Sequence, residues 1–141
     1  MFHHEGTKDT EGAKDTKARS LALSYQIIGA AIEVHQVIGP GLLESIYESA
    51  LCRELWLRDI EVRRQVPVPV RYKGCSLDCD IRLDLLVEHR VIVEVKTAEK
   101  LLPVHTAQLL TYLRLKKLWL GLLINFNVEV LKHGVRRILN G

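Results

Sequence analysis

Between Arg58 and Val62 the apolar residues change their spacing from helical to alternating, and at Pro103 the spacing changes back. Helices before and after a run of strands can bury their apolar faces in few ways, and one sheet covered by helices is the simplest. Ahead of the change, Ile28, Ala31, Ile32 and His35 recur at helical spacing, with Leu21, Tyr25 and Ile27 widening the face. Gly39-Pro40-Gly41 interrupts this helix. A second helix is predicted from about Leu42 to Arg58, with Leu43, Ile46, Tyr47, Ala50, Leu51 and Leu55 on one broad face.

The middle of the chain reads as three strands. Val62, Val66, Val68, Val70 and Tyr72 alternate with polar residues or proline, and Pro67 and Pro69 remove two backbone donors. That predicts an edge or bulged strand. Lys73-Gly74 opens a turn towards a strand marked by Ile81, Leu83, Leu85 and Val87. Glu88-His89-Arg90 makes a tight connection to Val91, Val93 and Val95, so the three strands are expected to form an antiparallel meander. Pro103 can open the next helix because first-turn amides have no internal partner. Trp119 to Phe126 reads as a buried central strand, and Gly134 to Leu139 as one more short strand. The expected fold class is α/β (α+β), a mixed central sheet flanked by helices.

With 141 residues, 48% of them hydrophobic, the chain fits one domain, placed at 21–141. Residues 1–20 contain Lys-Asp-Thr twice and no periodic apolar face, so they are expected to be a disordered tail, with His3 and His4 solvated. No uninterrupted apolar run reaches the ~18–20 residues of a bilayer crossing. A cytoplasmic protein without a membrane partner is expected. A net charge of +3 permits nucleic-acid binding without arguing for it. Cys52, Cys75 and Cys79 are an odd set, read as free structural thiols.

Chemistry is concentrated in the meander. Glu94 and Lys96 share one strand face, and Asp84, out of phase with Leu83 and Leu85 on the neighbouring strand, can join them. Two carboxylates on adjacent strands repel each other unless a cation joins them. A hard divalent ion with oxygen ligands, most simply Mg²⁺, resolves that conflict. Lys96 beside it can stabilise charge developing on a phosphate. The competing account is a solvated sheet face with a cross-strand ion pair. Arg63-Arg64, Lys116-Lys117 and the stretch from Lys132 to Arg137 could track phosphates, with Tyr112, Trp119 and Phe126 near them, although the apolar run around Trp119 and Phe126 reads better as core.

Gly41-Leu42-Leu43-Glu44-Ser45-Ile46-Tyr47 resembles the signature of the GxxExxY proteins. Asp84, with Val93-Glu94-Val95-Lys96 following, resembles the D…(D/E)xK centre of the PD-(D/E)xK nuclease superfamily. Gln108 to Tyr112 is similar to the QxxxY motif of its RecB-like members. The resemblance implies a restriction-endonuclease-like αβββαβ core over about residues 24–140. It implies Asp84 and Glu94 as metal ligands with the Val95 carbonyl as a third contact, Glu44 as the first acidic position and Lys96 as the catalytic lysine. Gln108 and Tyr112, on one helix face, would position the scissile strand or a water. Such sites often carry a histidine on the helix before the meander, which makes His35 a further candidate; a hydrogen-bonded histidine on an apolar face is the competing account. Glu48, one turn beyond Glu44, reads as a solvated or Arg-paired helix residue that could also join.

The function implied is a Mg²⁺- or Mn²⁺-dependent nuclease that hydrolyses phosphodiester bonds, in DNA before RNA, with a homo-oligomer or partner protein left open. The alternative is a catalytically weak nucleic-acid-binding or assembly module that retains the nuclease fold. A third reading is a defence-associated effector dependent on a genomic neighbour.

Overall fold

Helix α1 (Phe2–Ile38) and helix α2 (Glu44–Leu57) meet at the Gly39–Gly41 turn, where Gly39 and Gly41 adopt positive φ values of 70° and 96°. This computed structural model describes the backbone of residues 2–141 and the side chains of residues 12–141. Tyr47 holds the turn closed: its hydroxyl donates to the Gly39 carbonyl at 2.5 Å and accepts from the Leu42 N–H at 3.2 Å. The ring is fully buried and stacks on Phe126, with centroids 4.6 Å apart. Gly41 and Tyr47 of the sequence motif therefore aim the start of α2.

Strand β1 (Val62–Pro67) is followed by a small hairpin of β2 (Arg71–Tyr72) and β3 (Cys75–Ser76). Then come β4 (Arg82–Val87), β5 (Val91–Lys96), helix α3 (Pro103–Lys116) and β6 (Leu120–Asn125). A 3-10 turn, Leu131–Gly134, leads into β7 (Val135–Leu139). The main sheet has the order β1-β4-β5-β6-β7; only β5 and β6 are parallel, and α3 supplies the crossover that a parallel pair requires. This is the expected mixed α/β architecture.

The sheet has a helical layer on each face. Leu85, Val91, Val93, Leu122 and Ile124 pack with Ile27, Ala31, Leu51 and Leu55 of α1 and α2. Leu83, Leu86, Ile92 and Leu123 pack with Leu109 and Leu113 of α3. Every residue of β6 is buried, as its unbroken apolar run predicts. At Gly121 the strand lies against α3 with no room for a side chain: a Cβ there would lie 2.9 Å from Leu109.

Several expectations need correction. The single strand foreseen over 62–72 ends at Pro67; Val68 donates to the Ile81 carbonyl at 2.8 Å, and a separate two-residue pairing follows. The proline positions do mark an edge, since β1 pairs only with β4. The foreseen tail is helical over 12–20, with Ser20 buried. A packed helix extends at no fresh nucleation cost, and the Asp15–Arg19 pair at 3.0 Å lies along the extension. His3, His4 and the first Lys-Asp-Thr copy lie outside the described side chains.

Helix α1 is long and apolar enough to cross a membrane by length and composition. Its apolar stripe, Leu23, Ile27, Ala30, Ala31 and Val34, is buried in the core, as in an amphipathic covering helix. The three cysteines are free; Cys52 is half-buried, and burial pushes its thiol up to about 11 despite the nearby Arg64.

Gly134 sits directly against the end of β6. A Cβ there would collide with the backbone carbonyl oxygen of Asn125. Gly134→Ala is therefore expected to destabilise the protein by about 1–3 kcal/mol, the range for overpacking a well-packed core. Urea unfolding checks it, and an unchanged midpoint would show that the turn moves freely.

Candidate active site

The ladder between β4 and β5 pairs Val87 with Val91, Leu86 with Ile92 and Leu85 with Val93, and stops there. The next pair in register is Asp84 and Glu94, and here side chains replace backbone bonds. The Asp84 N–H donates to Glu94 Oε2 at 2.8 Å, and the Val95 N–H donates to Asp84 Oδ2 at 2.9 Å. Each carboxylate thus holds the backbone of the opposite strand with one oxygen. The two acids sit where the strands part.

Local geometry explains the parting. Gln65, which faces Asp84 across the β1–β4 register, has φ 50°, the left-handed region that a non-glycine strand residue rarely enters. Strand alternation breaks at the same level: Leu83 packs with α3 while Leu85 packs with α1 and α2. Asp84 is therefore not simply opposite in phase to both leucines. Asp84 reaches Glu94 through the kink.

Burial gives these acids unusual electrostatics. Glu94 is only 4% exposed, and its pKa rises to about 8, chiefly through desolvation and then through the Asp84 charge. Lys96 and the hydrogen bond at Asp84 oppose that rise. Asp84 is also raised, first by desolvation, with Glu48 and Glu44 adding to the rise and the Val95 N–H and Lys96 opposing it. Tyr112 is raised by burial and by the charges of Glu94 and Asp84, while a side-chain hydrogen bond with Gln108 works the other way. Glu44, Asp84, Glu94, Lys96, Gln108 and Tyr112 thus fall within one electrostatic neighbourhood, drawn from α2, β4, β5 and α3.

For His35 the structure decides between the two accounts that the sequence leaves open. His35 is buried in the α1 layer, where its Nε2 bonds to the Val128 carbonyl at 2.7 Å and its ring lies 6.4 Å from Phe126. The hydrogen-bonded core histidine describes it better than a ligand does. Val95 meets Asp84 through its N–H, which ties this residue of β5 to the carboxylate pair. Among the basic clusters, Arg64 lies 3.6 Å from Glu48, and Arg137 sits over Tyr25 and bonds to Ser24. Phe126 is fully buried core.

Three further residues belong to the site's framework. Glu48 is 7% exposed, accepts from Gln65 Nε2 at 2.8 Å and bears electrostatically on both Asp84 and Glu94. Its spacing of four from Glu44 was the available signal, since it puts both acids on one helix face. Gln65 has no such signal in the sequence. Asn125 is buried opposite Lys96 in the parallel register; its amide donates to the Ala98 carbonyl at 2.9 Å and its Oδ1 accepts from the Ala98 N–H at 3.1 Å. With the Phe126 N–H bonded to the Lys96 carbonyl at 2.9 Å, this fixes the end of β5.

Among the described residues, no group of three or more His, Cys, Asp or Glu side chains is arranged to hold a metal. The two-carboxylate pair nonetheless fits a hard divalent ion. Mg²⁺ is commonly held by one or two carboxylates, with waters and substrate phosphates completing its shell. Each acid keeps one oxygen outside the strand-bridging bonds, and a cation between them would relieve the repulsion that raises both pKa values.

The family model of the PD-(D/E)XK nuclease superfamily matches residues 21–138. The chain belongs to the PD-(D/E)XK nuclease superfamily. Members are usually hydrolases that act on nucleic acid and typically use Mg²⁺ or Mn²⁺. No curated protein and no solved structure matches the chain.

Proposed function

We infer that the protein is a divalent-metal-dependent nuclease that hydrolyses phosphodiester bonds in DNA. The observation that carries this reading is the reciprocal Asp84–Glu94 pair at the parted strands with Lys96 one step along the same face. Within the superfamily, the Gly41, Glu44 and Tyr47 spacing supports the GxxExxY group, and Gln108 with Tyr112 supports a RecB-like relationship.

Asp84 and Glu94 are the residues that would hold the ion. When bound, a divalent ion neutralises charge on the scissile phosphate and acidifies water. Lys96 presents a fixed positive charge where the phosphate gains negative charge, the kind of preorganised stabilisation that lowers a barrier. Glu48 and Glu44 extend the acidic wall on the α2 side. Gln108 and Tyr112 offer an amide and a phenol to orient the substrate or a water from the α3 side. The reading assigns the protein a cytoplasmic nucleic acid as partner.

Purified protein supplied with Mg²⁺ or Mn²⁺ is expected to shorten labelled DNA, and EDTA is expected to stop it. Cutting that survives EDTA would overturn the metal-dependent reading. DNA binding with no cutting in either ion would transfer the protein to the assembly-module class.

A further inference from the structure

At the end of β5 away from Lys96, an open cleft of about 420 Å³ lies between α1, the β4–β5 turn and the start of β6. Val91 and Lys96 are about 16 Å apart along the strand, at ~3.3 Å per residue, so this cleft is separate from the carboxylate pair. Lys17 enters it from α1, Arg90 from the turn and Lys117 from the end of α3, with Trp119 in the lining. An adjoining hollow adds Arg114. The Lys17 ammonium lies over the Trp119 ring, 5.4 Å from its centre.

Convergence sets these cations apart: α1, the β4–β5 turn and the end of α3 bring Lys17, Arg90, Arg114 and Lys117 to adjoining hollows, and among the described residues none of the four makes an ion pair there. Glu88, the one carboxylate in the lining, already accepts the Glu61 N–H at 2.9 Å through Oε1. His89 lies 3.1 Å from Glu61. Attraction to the carboxyl end of α3 accounts for Arg114 and Lys117. It does not account for Lys17 or Arg90, which other elements bring to the same cleft. Converging like charges without counterions create a local positive potential suited to a polyanion.

We propose that this cleft binds the sugar–phosphate backbone of a nucleic-acid strand outside the carboxylate site. The choice of polyanion rests on the nuclease reading; the cleft itself does not. The cations span two adjoining hollows, which suits successive phosphates better than a single anion.

Titration of a fluorescein-labelled single-stranded DNA into the full-length protein in EDTA tests the proposal. Arg90→Ala/Lys117→Ala is expected to weaken binding at least tenfold at about 100 mM salt. It is also expected to reduce the slope of log affinity against log salt by about 1.4, since each lost phosphate contact on a single strand contributes ~0.7. Arg53→Ala/Lys73→Ala, with the same change in net charge and neither residue in the cleft, is expected to leave the slope alone. In a Trp56→Phe background, DNA is expected to quench the remaining Trp119 emission. Equal affinity and slope in the cleft variant, or equal losses in the control, would overturn the proposal, as would a wild-type protein that binds no DNA. Lys96→Ala separates the two readings. Loss of cutting with cleft-dependent binding retained supports both, and cutting by wild type with no dependence on the cleft removes only this one.

Discussion

Lys96→Ala is expected to lower the rate of DNA cleavage by about 10²–10³-fold, the usual cost of removing one preorganised electrostatic stabiliser. The protein is expected to stay folded. Lys96 is only partly buried, and its backbone carbonyl is held by the Phe126 N–H whatever the side chain is. Parallel pairing with Asn125 is likewise a backbone matter. The lost ammonium is one of the groups opposing the raised pKa values of Asp84 and Glu94, so the variant is expected to bind Mn²⁺ no less tightly once the carboxylates no longer share a competing cation. Single-turnover cleavage and calorimetric Mn²⁺ titration measure the two effects separately. Cutting at the wild-type rate would remove Lys96 from the chemistry.

Glu94→Gln is expected to have the opposite signs for function and stability. An outer-shell partner of a metal site typically accounts for 10–100-fold in activity, so loss of a direct carboxylate is expected to cost more than about 100-fold. In the metal-free protein the same change is expected to stabilise. The glutamine carbonyl can still accept the Asp84 N–H, and the charge disfavoured by burial and by Asp84 is gone. For the wild type, the raised folded value of about 8 against 4.5 means that this carboxyl favours folding fully below pH 4.5. Between those values the folded chain holds a proton that the unfolded chain has released, and stability falls by up to about 1.4 kcal/mol per pH unit. Above pH 8 both states have lost it and the loss is complete. Urea unfolding in EDTA at pH 6 and pH 9 is therefore expected to show a larger alkaline loss for wild type than for Glu94→Gln. Parallel pH dependence in the two proteins would show that Glu94 ionises normally.

Much of the architecture could be read along the chain. The change of period at residues 58–62 locates the sheet, Pro67 and Pro69 mark its edge, and the apolar run of β6 marks its centre. Each is a local consequence of backbone geometry: a proline cannot donate to a ladder, and only a doubly covered strand tolerates apolar residues on both faces. The pairing of Asp84 with Glu94 was legible for a related reason, since a short hairpin sets its own register.

What the tertiary structure decided concerns residues whose partners come from remote parts of the chain. Glu48 looks like a surface helix acid until Gln65, 17 residues on, donates to it; His35 stays open between ligand and core histidine until the Val128 carbonyl, 93 residues on, accepts from its ring Nε2–H. Asn125 holds the end of β5 because α3 brings β6 alongside in parallel, and Asp84 departs from simple alternation at the level where Gln65, on the facing strand, enters the left-handed region. Periodicity specifies which face of an element is apolar, because that depends on near neighbours. Which polar atom meets a buried carboxylate depends on packing between layers, where desolvation makes each partner indispensable, and no local pattern carries that information.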